Sequence, residues 1–255
     1  MNKEMFFKQF RNQNYVEQLK EIPQKFNVVH DEEKKTTNIT IYGVIGKSWW
    51  NDSFSATDID NALNEAKDND IIVNLNSPGG DAFDGISIFN RLKRHSGKVT
   101  IHIDGWACSA ASVIAMAADE LIMELGSMLM IHEASSLVWG TKGEMRKEAD
   151  VLEELEEGII DIYSTKAIIS REEIRQKVDA ETWMSAKTAC ELGFADKAEG
   201  VEFDGETQPT NTDRTNEDRK SILNELNGIL QPNSKKQKEE PEQQKVAAKR
   251  RGFFF

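Results

Sequence analysis

The stretch from Asp70 to Leu92, DIIVNLNSPGGDAFDGISIFNRL, limits the fold more than any other part of the chain. An apolar run ends in a Pro-Gly-Gly turn, and the residues after it are apolar at helical spacing, with Phe83, Ile86, Ile88, Phe89 and Leu92 on one side. Such a run suits a strand buried on both faces, as in a parallel sheet whose crossovers are helices. The same order recurs along the chain. TTNITIYGVIG (36–46) reads as a strand and DIDNALNEA (58–66) as a short helix. KVTIHID (98–104) is the next strand, SAASVIAMAAD (109–119) the next helix, and ELIME and SMLMIHE are two shorter strands. This repetition predicts an α/β core with right-handed crossovers.

From 140 to 168 the period turns helical and long. Val151, Leu152, Leu155, Ile159, Ile160 and Tyr163 form a stripe, and the opposite face is densely acidic. Such a helix can pack on the sheet or project to meet another subunit, and its length, which outruns the cover a small domain offers, favours projection. WMSAKTACELGFAD (183–196) reads as a helix capped at Ser185 and ended by Gly193.

Composition removes several function classes. A net charge of −12 and a pI near 5.0 argue against a sequence-independent nucleic-acid binder, which needs a basic face. Cys108 and Cys190 make neither a disulfide framework nor a metal-ligand spacing. No apolar stretch approaches a membrane span, and the expectation is a cytoplasmic protein without membrane contacts. Past residue 203 the chain becomes polar, with ten basic and nine acidic residues, too little apolar area to order by itself. The expected organisation is an N-terminal segment (1–35), a core domain (36–203) and a polar tail (204–255). Within the tail, an amphipathic helix is expected at about 215–230 and an aromatic end at Phe253, Phe254 and Phe255.

The candidate chemistry begins at DGWACSAASV (104–113). Gly105 and Trp106 read as the turn from strand to helix, which puts Ser109 near a helix N-terminus with unpaired N–H groups. A hydroxyl there can attack a carbonyl while the Ala110 N–H holds the developing oxyanion. Ser112 lies one turn further on, where serine back-bonds or packs, and Cys108 reads as a buried small hydrophobe. Small residues at a helix start are also ordinary packing, so local pattern alone leaves Ser109 only favoured. Of the four histidines, His30, His95 and His102 fall in a polar segment, a helix end and a strand interior. His132 closes the strand MLMIH, at the rim where α/β proteins gather catalytic groups. In NSPGG (76–80), Gly79 and Gly80 can present N–H groups to an anion, but neither a phosphate-loop nor a dinucleotide fingerprint is present.

Four motifs in this order, NSPGGDAFDGISIFNRL, DGWACSAASVIAMAAD, MLMIHEA and ETWMSAKTACELGFAD, resemble the proteolytic subunit of the Clp protease, ClpP. The resemblance covers roughly residues 36 to 200 and is strongest to the ClpP-related head-maturation proteases of tailed phages. It implies a ClpP/crotonase-like spiral of β-β-α units with a projecting helix. It also implies Ser109 as nucleophile, His132 as base, and the Gly80 and Ala110 N–H groups as the oxyanion hole. The family's third member is an aspartate two residues before an aromatic; here Glu181 stands before Trp183, with Asp179 as the rival acid. The implied activity is a serine endopeptidase without metal or organic cofactor, assembled as a ring, a heptamer or stacked double ring. Its expected substrates are capsid and scaffold proteins. The alternatives are a housekeeping protease fed by an ATP-dependent unfoldase, a crotonase-like thioester enzyme, and an inactive shell or scaffold protein.

Overall fold

The computed structural model describes residues 24–46, 54–136 and 138–203. The expected tail helix at about 215–230, the aromatic end and the first 23 residues lie outside the described residues. The described strands are β1 (Lys25–Asp31), β2 (Thr36–Tyr42), β3 (Asp70–Ser77), β4 (Val99–Cys108), β5 (Glu120–Met123), β6 (Met128–Ile131), β7 (Thr182–Ser185) and β8 (Lys197–Ala198). The helices are α1 (Ala56–Ala66), α2 (Ala82–Lys93), α3 (Ala110–Ala115), α4 (Lys142–Ser164), α5 (Arg171–Asp179) and α6 (Ala186–Glu191).

The main path of the sheet runs β1-β2-β3-β4-β5-β8, parallel except for the β1–β2 hairpin. Its register lines up apolar side chains in rows. Ile39, Val73, Ile101 and Leu121 are successive partners across four strands, and Ile41, Leu75, Ile103 and Met123 form the next row. All eight are fully buried, and each contributes about 1.5–3 kcal/mol by leaving water. The strand expected to be buried on both faces, β3, instead alternates between buried and half-buried residues. Asn74 and Asn76 occupy its less covered side, so helices cover one face more completely than the other.

β1 was not foreseen within the N-terminal segment. It is an edge strand with no fully buried residue, so its alternation of Phe26 and Val28 with polar residues carried little signal. Asp31 Oδ1 accepts from the Glu33 and Lys34 N–H groups and closes the hairpin.

β4 also departs from expectation, and this departure positions the site. Gly105 and Trp106 are not a turn; the strand runs on to Cys108. Between Leu75–Ile103 and Ser77–Ala107 the β3–β4 register shifts, because β4 carries two extra residues there. Asn76 Oδ1 accepts from the Trp106 N–H at 3.3 Å and sits where a Cβ on Gly105 would stand, 2.8 Å away. Such a bulge re-aims a strand. Before it, β4 pairs with β5; after it, Trp106, Ala107 and Cys108 pair with Met128, Leu129 and Met130 of β6. β6 then pairs antiparallel with β7, so a small branch leaves the main sheet where β4 ends.

Helix α4 has 23 residues, about 34 Å at 1.5 Å per residue. Thr141 and Glu144 cap it reciprocally. Its buried residues begin at Glu156 and end at Tyr163. The first half stays exposed, with Met145 at 48% and Val151 at 45%. Among the described residues, no helix is long and apolar enough to cross a membrane.

Candidate active site

Three strand ends meet at one place. Cys108 of β4 is paired with Met130 of β6, which is paired with Trp183 of β7. Ser109 follows Cys108, and its N–H donates to the Met130 carbonyl at 3.0 Å. His132 follows Ile131, the last residue of β6, whose partner is Thr182. Because β6 and β7 are antiparallel, His132 and Glu181 are the residues that flank the last pair of that ladder, Ile131 and Thr182. The strand ends that carry the serine, the histidine and the carboxylate are therefore neighbours in the sheet, although 72 residues separate the first from the last.

Ser109 is the N-cap of α3 and has φ 55°, ψ −125°. A non-glycine residue at such angles costs on the order of 1–3 kcal/mol and persists only where its surroundings hold it there. A serine on a sharp, strained strand-to-helix turn is the arrangement that exposes a nucleophilic hydroxyl. The NSPGG turn packs directly against it. A Cβ on Gly79, which has φ +91°, would stand 2.5 Å from the Cys108 carbonyl and 2.7 Å from Ser109 Cβ. Glycine is required there by both angle and space. Hydrogen bonds from Ile45 N–H to the Gly79 carbonyl and from Asp81 N–H to the Ile45 carbonyl, both 2.9 Å, clamp the turn on either side of Gly80. Within the described residues, neither the Gly80 nor the Ala110 N–H donates to a protein group.

Ser109, His132, Gly80 and Ala110 share one cleft of about 260 Å³. Its floor is apolar, with Val113, Leu152, Leu155 and Ile159, and Phe83 projects beside it at 64% exposure. Spacing groups Phe83 with the apolar side of α2, yet it is exposed and lines the cleft. Asp81, Glu133 and Glu148 also line the cleft, and among the described residues no lysine or arginine does.

The two rival acids are separated by their surroundings. Glu181, at φ 52°, lies close enough to the Cys108 thiol for its charge to act on it. Burial, and then the Glu181 charge, push that thiol well above its ordinary range, so Cys108 is a buried neutral neighbour. Asp179 ends α5, exposed, 3.8 Å from Arg175, and its carboxylate groups with those of Glu133 and Glu156.

Ser112 is fully buried. Its Oγ donates to the Ser109 carbonyl at 2.6 Å and lies 2.7 Å from the Tyr163 hydroxyl. Of the remaining histidines, His30 Nδ1 bonds Thr37 Oγ1, His95 Nε2 meets the Asn69 carbonyl and His102 Nδ1 pairs with Glu124. None of the three lines the cleft. Two residues that touch the surroundings of the cleft escaped sequence reasoning: Tyr163, which lines it, reads as one more apolar position of the α4 stripe, and Glu156, which accepts from the Ala134 N–H, as one more residue of its acidic face. Spacing could have flagged Glu156, which lies three and four residues before the apolar pair Ile159 and Ile160.

A strained serine at a helix mouth, with a histidine and a carboxylate on adjoining strand ends and free N–H groups beside it, has the layout of a serine hydrolase site. The Clp protease family model matches residues 31–200, and the chain belongs to that family of serine-type peptidases. Its relatives include the ATP-dependent Clp protease proteolytic subunit 1 of Protochlamydia amoebophila, 29% identical over 131 residues. That match covers 50% of this chain and 64% of the relative. The corresponding subunit of Chlamydia muridarum is 31% identical over 130 residues, covering 49% of this chain and 68% of the relative. Among solved structures, a point mutant of ClpP1 from Listeria monocytogenes superposes with a TM-score of 0.56 at 23% identity. It covers 68% of this chain and 94% of its own and shows the shared fold.

Proposed function

We propose that the chain is a serine endopeptidase of the Clp type, with Ser109 as nucleophile, His132 as general base and Glu181 orienting the imidazole. The observation that carries this reading is the strained Ser109 sharing a cleft with His132, Gly80 and Ala110. Ser109 Oγ attacks a peptide carbonyl as His132 takes its proton. The oxyanion is held by the Gly80 and Ala110 N–H groups. His132 then protonates the leaving amine, and water, activated by the same imidazole, releases the acyl group. Glutamate can support the imidazolium as aspartate does, and the register supports Glu181 over Asp179. No step in this sequence calls for a metal or organic cofactor.

Saturating fluorophosphonate should label the wild-type chain once. Labelling should be absent in Ser109→Ala and reach full stoichiometry in Ser112→Ala. A label that survives in Ser109→Ala would overturn the assignment.

The relatives described above are named as ATP-dependent Clp proteolytic subunits. This favours an enzyme that receives protein substrates from an ATP-driven partner over one that trims capsid and scaffold proteins in a phage procapsid. The exposed first half of α4 supports assembly into a homo-oligomeric ring. Co-purification with a hexameric ATPase would support the first setting, and recovery inside procapsids the second.

A further inference from the structure

We propose that α4 is the positioning element of this site, gripping the nucleophile turn through Tyr163 and the histidine-bearing segment through Glu156. The inference rests on the catalytic reading above and adds the residues that hold its geometry.

Tyr163 is fully buried, and its hydroxyl reaches Ser112 Oγ at 2.7 Å. Ser112 has one hydroxyl proton and spends it on the Ser109 carbonyl at 2.6 Å, so the Tyr163 hydroxyl is the donor to Ser112. The relay therefore runs from α4 to the backbone of the nucleophile. That same carbonyl accepts from the Ser112 and Val113 N–H groups at 2.9 and 3.3 Å. Three donors thus converge on the peptide that follows the strained φ of Ser109. Burial pushes the Tyr163 hydroxyl well above the ordinary tyrosine range, which keeps it protonated and able to donate.

Glu156 is 8% exposed. Its Oε1 accepts from the Ala134 N–H at 3.0 Å, two residues beyond His132, and its Oε2 from Arg175 Nη1 at 2.7 Å. Arg175 thus orients a carboxylate that pins the end of the base segment. Glu156 and Tyr163 are seven residues apart and so share one face of α4. The helix between them is a rigid spacer of about 10 Å. A helix sets such a spacing more firmly than a loop could. The alternative is that Tyr163 only fills the core, where its ring meets Phe194 edge-on at 5.9 Å.

The test compares wild type with Tyr163→Phe, Ser112→Ala, Glu156→Leu and Glu156→Gln. It measures kcat and KM on a fluorogenic peptide, the rate and stoichiometry of fluorophosphonate labelling, Tm, and amide exchange at Ser112 and Val113. Tyr163→Phe should lower kcat and the labelling rate on the order of ten- to a hundredfold, with KM unchanged and stoichiometry full. Combining it with Ser112→Ala should cost no more than either alone, since both break one relay. Glu156→Leu should lower kcat, whereas Glu156→Gln, which still offers an acceptor to Ala134, should restore most of it. The losses of Tyr163→Phe and Glu156→Leu should multiply. A Tyr163→Phe variant with wild-type kcat and only a lower Tm would overturn the proposal, as would independent losses for Tyr163 and Ser112. An unlabelled wild-type chain would instead sink the protease reading. In that case exchange still decides the grip: faster exchange at Ser112 and Val113 in Tyr163→Phe sustains it, and unchanged exchange overturns it.

Discussion

Ser109 and Gly79 occupy backbone angles that most residues avoid, and they touch. Gly79→Ala should therefore damage more than a loop: its methyl would meet the Cys108 carbonyl and Ser109 Cβ and displace the turn that carries Ser109. The expected result is loss of fluorophosphonate labelling in a chain whose far-ultraviolet circular dichroism is unchanged. Glu181→Gln should keep the serine and its label but slow hydrolysis by roughly 10²–10⁴-fold, since an amide stabilises neither the tautomer nor the imidazolium. Asp179→Asn, altering a carboxylate on the Arg175 side, should leave kcat within a few-fold of wild type, measured on the same peptide. At this scale the sequence was legible only as far as the proposed site. Ser109 could be preferred over Ser112 by its place at a helix mouth, and His132 by its place at a strand end. Spacing alone left Glu181 and Asp179 as rivals, because the β6–β7 pairing that favours Glu181 in the proposed triad is long-range.

Among the elements, the bulge in β4 and the close approach of α2 to α3 matter most. A Cβ on Gly85 of α2 would come within 2.9 Å of Ala110 Cβ. Gly85→Val should force the two helices apart and lower stability by about 1–3 kcal/mol, read as a shift in the denaturation midpoint. Because Ala110 neighbours Ser109, the proposed nucleophile, activity should fall further than stability does. Hydrophobic period revealed most of these elements, including the long α4 and the capped α6. It missed the edge strand β1, where nothing is fully buried, and it placed a turn at Gly105 and Trp106. Glycine beside an aromatic reads as a turn in one dimension. Here the glycine makes room for the Asn76 side chain within a continuing strand.

For the whole molecule, charge sets two further expectations. Glu120 at the start of β5 is held by Lys197 of β8 and by Lys98 just before β4, and these lysines lower its carboxyl to about 2 from the ordinary 4.5. A carboxyl with a depressed folded-state pKa stabilises the fold above its unfolded value, and that contribution fades as pH falls from about 4.5 toward 2. Replacing it by Glu120→Gln should flatten the dependence of Tm on pH within that window, with the two curves converging near the acid end. The second expectation concerns the cleft, which beside its apolar floor is lined by Asp81, Glu133 and Glu148 and, among the described residues, by no lysine or arginine. Peptides carrying an apolar residue beside lysine or arginine should have higher kcat/KM than those carrying aspartate or glutamate there. That preference should shrink as ionic strength rises. Equal kcat/KM for both peptide sets at low salt would remove the electrostatic part of this expectation. The overall acidity was plain in composition, but its concentration around the cleft depends on three distant segments converging.

The clamp that Ile45 places on the Gly79–Asp81 turn has a kinetic consequence. In the proposed oxyanion hole, a loop already tied down on both sides has no rearrangement left to make when negative charge arrives. Reversible covalent inhibitors such as peptide boronates should therefore bind in a single exponential phase, without the slow tightening that follows when an enzyme must first fold its anion site around the ligand.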